Sequence, residues 1–320
     1  MKLRYQPALV EEAVFLALMN HPDAERFERE RVRLYELKDA EARDLAFQDF
    51  HWKWFSDLGL DKPLVKALSE QPLVESSVKH CLAAPAPGKR EEAAELFVSH
   101  DERLSAEERR TVSIFLRPES LLDPAALLTF LRHELTHITD MLDPAFGYEP
   151  ALPPAEGGPT HDRLLKERYR CLWDATIDGR MARRGWGAAQ LRAERLEEFR
   201  RLFPMFGEES ESLFSRFFDQ EPHSHAELVA LILEPRALTG VAEAPHPGGR
   251  CPLCGFPTYT FEPDAGCLSP EVIDQITEDF PRWRPSHGLC RQCADLYRSH
   301  SLSARAERAL PGAFSHTPSG

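Results

Sequence analysis

The chain has 320 residues, 39 basic against 52 acidic side chains and 42% apolar residues, enough to bury a full core. The formal net charge of −13 argues against a nucleic-acid ligand, which needs clustered Lys and Arg to neutralise phosphates. No stretch approaches the roughly 18 uncharged apolar residues of a membrane span, and Glu11 and Glu12 interrupt the short apolar run at the start, so a cytoplasmic protein with no membrane partner is expected.

Residues 8 to 82 are almost entirely helical in pattern, with Phe27, Leu34, Leu37, Leu45 and Trp52 near one stripe. The Pro/Gly-rich APAPGKR, residues 84 to 90, marks the first internal boundary. Leu96-Phe97-Val98 and the run from Thr111 to Leu116 are predicted strands, separated by a turn-and-helix stretch that Ser105 opens with Glu108 three residues on. Asp123 and Pro124 then start a helix that runs to about Leu142 and stops at Asp143-Pro144. Beyond a loop at 150 to 159, a helix from about Asp162 to Arg184 is expected, and three more reach Leu233, the last opened by Ser224 with Glu227. Residues 235 to 250 are a linker by composition, and a cysteine-bearing module follows.

The predicted helix at 124 to 142 carries His133-Glu134-Leu135-Thr136-His137. Residues i and i+4 of a helix lie one above the other, so both imidazoles can converge on one ion with Glu134 beside them. Neutral imidazoles bind Zn²⁺, the ion lowers the pKa of its water to about 7, and a glutamate can take that proton and pass it to a leaving amine.

Over residues 96 to about 184 the chain resembles the zincin superfamily of metallopeptidases. The resemblance implies an α+β, predominantly helical fold, with a small mixed sheet and an active-site helix. It implies a zinc-dependent peptidase with Glu134 as general base and a peptide or protein substrate. It also implies that the strand before the active-site helix, here TVSIFL, is the sheet edge along which substrate lies, with residues 96 to 116 as the shelf.

A catalytic zinc usually has three protein ligands and an open position. In the thermolysin-like branch the third is a glutamate on a later helix, and an aspartate four residues on orients a zinc-binding histidine. Asp174 and Asp178 match that spacing, which makes Asp174 the implied third ligand and Asp178 the orienting acid. The first acid here is Asp, one methylene shorter, so its helix must approach more closely. Asp178, His161, Asp140 and Glu167 remain alternatives for the ligand. Tyr148, His161, Tyr169 and Arg180 are candidates for stabilising the oxyanion.

Cys251 and Cys254 form one metal knuckle and Cys290 and Cys293 another, with 35 residues between them. Four thiolates close a tetrahedral site, so this zinc is expected to be structural. The pairs resemble a zinc ribbon or treble clef, with a helix opened by Ser269-Pro270 inserted between them. Cys267 and His287 are weaker ligand candidates, and Cys81 and Cys171 are expected to be buried hydrophobes.

The resulting organisation is a helical region at 1–90, a metallopeptidase-like domain at 91–234, a linker at 235–250, a zinc module at 251–310 and a tail at 311–320. One catalytic and one structural Zn²⁺ are expected, with the module available to a protein partner. Two alternatives stand beside the peptidase: a SprT-like nucleic-acid-associated protease, and a non-catalytic zinc-stabilised interaction protein.

Overall fold

The computed structural model describes residues 1–154, 158–187, 190–220, 223–235, 248–281 and 283–299. Most of the expected linker, the end of the module and the tail at 311–320 lie outside the described residues. The chain divides into two compact units, Met1–Leu233 and Glu234–Gly320.

The first unit is mostly helical around one four-stranded mixed sheet. Its strands are β1 (Lys2–Tyr5), β2 (His80–Pro85), β3 (Ala93–Val98) and β4 (Arg110–Leu116), in the spatial order β1-β2-β4-β3. β1, β2 and β4 run parallel, and β3 pairs antiparallel with β4. Val112, Ile114 and Leu116 of β4 are fully buried, as expected of a strand paired on both sides with its inner face packed on helices.

Two features differ from the sequence reading. Residues 1–90 are not a separate all-helical region: β1 and β2 belong to the same sheet as β3 and β4, and residues from Leu9 to Leu142 form one core. TVSIFL is not the sheet edge either. It lies between β2 and β3, because the chain places β3 outside β4, so the edges of the sheet are β1 and, beside TVSIFL, β3 at Ala93–Val98. Ser105 and Glu108 do exchange backbone-to-side-chain hydrogen bonds at 3.1 and 3.2 Å, but they close a turn and no helix follows.

Helices α1 (Pro7–Leu18), α2 (Ala24–Leu34), α3 (Ala40–Asp57), α4 (Lys62–Ser69) and α5 (Pro72–Ser77) fill the span between β1 and β2. The motif helix α6 (Pro124–Leu142) starts where Asp123 accepts the amide of Ala126 at 3.1 Å, with Pro124 in the first turn. Its Leu127, Leu131, Leu135, Ile138 and Leu142 enter the core, which turns the histidine face away from the sheet's main hydrophobic packing. After α6 come α7 (Pro159–Arg183), α8 (Leu191–Leu202), α9 (Ser210–Phe218) and α10 (His225–Leu233). Ser224 and Glu227 form the expected capping box at α10.

The second unit contains α11 (Pro270–Asp279) and a helix at 291–299. Its core is small: Val272, Ile276, Trp283 and Leu289 pack around Cys251, Cys290 and Cys293. Among the described residues of the chain, no helix is long and apolar enough to cross a membrane.

Candidate metal centres

His133 and His137 stand one turn apart on α6, and Asp174 comes from the buried middle of α7. The Nε2 atoms of the two histidines are 3.2 Å apart, and Asp174 Oδ1 lies 3.1 Å from His137 Nε2 and 3.7 Å from His133 Nε2. Ligand atoms arranged tetrahedrally at about 2.0–2.1 Å from an ion are about 3.3 Å from one another. These three atoms therefore fit a single metal ion without rearrangement.

The shell behind them is equally specific. Asp178, one turn after Asp174, accepts from His133 Nδ1 at 2.8 Å, which leaves Nε2 directed at the metal position. Its other oxygen accepts from Arg195 Nε on α8 at 2.5 Å, and Arg195 also reaches Glu198 at 2.8 Å. The Arg195 guanidinium lies 3.6 Å from Asp174 Oδ2, so one cation braces both carboxylates. Burial would push His133 down, but Asp174 and Asp178 outweigh it and raise it to about 9. Burial would likewise raise Asp174, yet the two histidines hold it well below the usual carboxylate range. The pocket is thus built for positive charge at the point where the rings meet.

Glu134 sits beside the pair, and its Oε2 accepts the backbone amide of Ala94 on β3 at 3.0 Å. That bond ties the motif to the open sheet edge. A cavity of about 610 Å³ opens on the site and is lined by His133, Glu134, Asp174, Arg195, Phe130 and Leu202 among others.

The remaining sequence candidates separate cleanly. Asp140 is not a ligand: it accepts from Trp173 Nε1 at 2.7 Å and from both terminal nitrogens of Arg180 at 2.7 and 2.5 Å. Arg180 is therefore committed to Asp140 and does not face the metal position. His161 is exposed and thirteen residues before Asp174 on the same helix, about 20 Å away along its axis. Glu167 lines the cavity but does not join the ligand group. Tyr169 is buried with its hydroxyl 2.6 Å from His225 Nδ1. Tyr148 is half-buried and stacks on Trp173, whose ring meets that of His137 edge-on at 4.4 Å. Burial raises the Tyr148 phenol.

Arg195 and His225 escaped the sequence reading, as did Gln71, whose buried amide donates to Thr136 at 3.2 Å and accepts from Thr139 at 3.0 Å on the back of α6. None belongs to a recognisable spacing motif; each reaches the site from a separate element.

In the second unit Cys251, Cys254, Cys290 and Cys293 come together as expected. The Sγ separations are 3.9 Å for Cys251–Cys293 and 3.9 Å for Cys254–Cys290. Four sulfurs at about 2.3 Å from a tetrahedral ion would be about 3.8 Å apart. Gly255, at φ +73°, makes the turn that a side chain would oppose. Burial would raise the Cys251 thiol, but amides of Cys254, Cys290 and Leu253 outweigh it and bring it to about 7. Cys267 is exposed on Asp264 and His287 accepts from the Arg284 amide, so neither is a ligand. Cys81 and Cys171 are buried, and burial pushes both thiols up to about 12.

Comparison with protein-family models, with curated proteins and with solved structures finds no match. The functional reading rests on the two centres themselves.

Proposed function

We propose that the chain is a zinc-dependent peptidase, with Zn²⁺ held by His133, His137 and Asp174 and a second, structural Zn²⁺ held by the four cysteines. The observation that carries this reading is the contrast in ligand number: three donors converge at the first site and four at the second. Three protein ligands leave a position for water, whereas four close the sphere. A purely structural role for the first site would call for a fourth donor, and among the described residues none joins the group.

Zinc bound at the first site would supply Lewis acidity and a water with a pKa near about 7. Glu134, beside the ligands, would be the base that takes a proton from the attacking water and returns it to the departing amine. Asp178, braced by Arg195, keeps His133 in the tautomer with a free Nε2. Of the four oxyanion candidates, Tyr148 is the one whose hydroxyl has no hydrogen-bond partner among the described residues, and we assign it that role. Substrate would pair with β3. Ser99 N donates to Arg109 O, so by alternation Ala94, Leu96 and Val98 turn their backbone groups away from β4; the Ala94 amide is taken by Glu134, which leaves Leu96 and Val98 to pair with a peptide.

The test is Glu134→Gln in zinc-loaded protein, assayed on a mixed peptide library by mass spectrometry. Hydrolysis is expected to fall by about 10²–10⁴, the size of a general-base contribution, with zinc retained. Undiminished cleavage would remove Glu134 from the mechanism, and absence of cleavage by the unaltered chain would favour the non-catalytic alternative.

A further inference from the structure

The two histidines of the first metal centre are oriented by different means. His133 is bonded through Nδ1 to Asp178 at 2.8 Å, the common way of fixing an imidazole ligand. Among the described residues no hydrogen bond reaches His137 Nδ1. Its ring is met instead by Trp173, with the centroids 4.4 Å apart and the planes at 85°. Ring edges carry partial positive charge and ring faces partial negative charge, so a perpendicular contact is favourable in that orientation, and turning the imidazole about its Cβ–Cγ bond forfeits it.

Trp173 is in turn held on several sides. Its Nε1 donates to Asp140 Oδ2 at 2.7 Å, Phe146 stacks on it at 5.3 Å and 18°, and Tyr148 at 5.4 Å and 30°. Asp140, only 4% exposed, also accepts from Nη1 and Nη2 of Arg180 at 2.7 and 2.5 Å. Helical spacing puts these groups in register. His137 and Asp140 are i and i+3 on α6, Trp173 and Arg180 are i and i+7 on α7, and each pair shares a face of its helix.

Stability alone is a weak reason for this arrangement. Taking two charges out of water can cost more than their mutual attraction returns, and an apolar pair of similar volume often serves as well. A carboxylate gripped at both oxygens does supply direction, because it cannot rotate and its Oδ2 then fixes the indole.

We propose that Trp173 is the positioning residue of His137 and that the Asp140–Arg180 pair is the anchor that aims it, so one zinc ligand is oriented by a carboxylate and the other by an indole. Tyr148 stacks on the same indole, so the anchor also sets where the ring assigned to the oxyanion lies. The inference rests on the metal reading of His133, His137 and Asp174 and adds three residues to it.

The test uses the full chain with one equivalent of Zn²⁺ in the thiolate site, titrated with Co²⁺, whose visible absorption reports affinity and ligand geometry at the imidazole site. Trp173→Leu should weaken Co²⁺ about 10–100-fold, the usual effect of removing a partner behind a ligand, and should change the shape of the absorption. Trp173→Phe keeps a ring beside His137 and leaves the Asp140–Arg180 pair intact but loses the Nε1 hydrogen. It should weaken Co²⁺ severalfold, and it decides the matter if the leucine variant does not fold. Leu165→Ala opens a buried position about 12 Å along α7 from Trp173, and should lower the melting temperature with Co²⁺ affinity and spectrum unchanged. Unaltered affinity and spectrum in folded Trp173→Phe, or an equal loss in Leu165→Ala, would overturn the role of Trp173. Failure of the unaltered chain to bind Co²⁺ beyond the thiolate site would instead remove the metal centre itself, and the inference with it.

Discussion

Asp174 and Asp178 differ by one helical turn and by what each touches, and that difference separates their expected effects. Asp174 contributes an oxygen to the ligand group, so Asp174→Asn should lower occupancy of the first site to background in a metal titration while the cysteine site stays loaded. Asp178 only orients His133, so Asp178→Asn should weaken that metal about 10–100-fold and leave the site fillable at high zinc. Equal losses would mean that Asp178 is itself a ligand. Tyr148→Phe removes only a hydroxyl and leaves the stacking on Trp173, so it should lower kcat by about 10²–10³ with KM and zinc content little changed. An unaltered kcat would return the oxyanion role to another donor. The two histidines were legible from the chain because i and i+4 of a helix share a face, and the zincin resemblance pointed to Asp174 and Asp178 at the same spacing, whereas nothing in the sequence ranked Tyr148 above the other oxyanion candidates. Arg195 was not legible, since its part is played from α8, where one arginine among several carries no distinguishing pattern.

At the scale of elements, α6 is held from behind by two neighbours in sequence. Glu70 receives Arg132 in a two-pronged pair at 2.7 and 2.7 Å, and Gln71 spans Thr136 and Thr139. Arg132 immediately precedes His133, so the clamp sets the rotation of the metal-binding face. The hydrogen bond from Arg132, with burial opposing it, lowers Glu70 below its ordinary value of 4.5. A depressed carboxyl adds stability that is fully present above its unfolded pKa and is lost as pH falls through the folded one. Glu70→Gln should therefore cost about 1–2 kcal/mol at pH 7, with the two melting curves converging in acid, once the pH has fallen through the lowered Glu70 pKa. A gap that persists in acid would show that the loss is not one of charge.

The same scale explains what the sequence concealed. β1 is four residues, KLRY, half of them cationic, and β2 is HCLAAP, too small-sided to show alternation. Their pairing, Lys2 with His80, spans most of the helical region, and no local pattern reports a parallel partner so far away. The long helices were readable because their signal lies within a few turns. The edge was misplaced for the converse reason: β3 follows β2 in sequence but lies outside β4, a crossover that only the assembled sheet displays.

The whole molecule divides its two metal groups between two units, Met1–Leu233 and Glu234–Gly320. The first has a core drawn from most of its elements and can fold on hydrophobic burial, whereas the second packs a few apolar side chains around its own cysteines. A core that small rarely supplies more than about 3–5 kcal/mol, while a structural zinc contributes about 10–16 kcal/mol to folding. Metal dependence should therefore be unequal. Cys290→Ser should lower bound zinc from two ions to one, render residues 251–299 sensitive to limited proteolysis, and leave the first unit's thermal transition and peptide hydrolysis in place. Metal analysis, proteolytic mapping and calorimetry on the same sample read all three. Loss of hydrolysis together with the cysteine site would mean that the second unit supports catalysis directly and does more than stabilise itself.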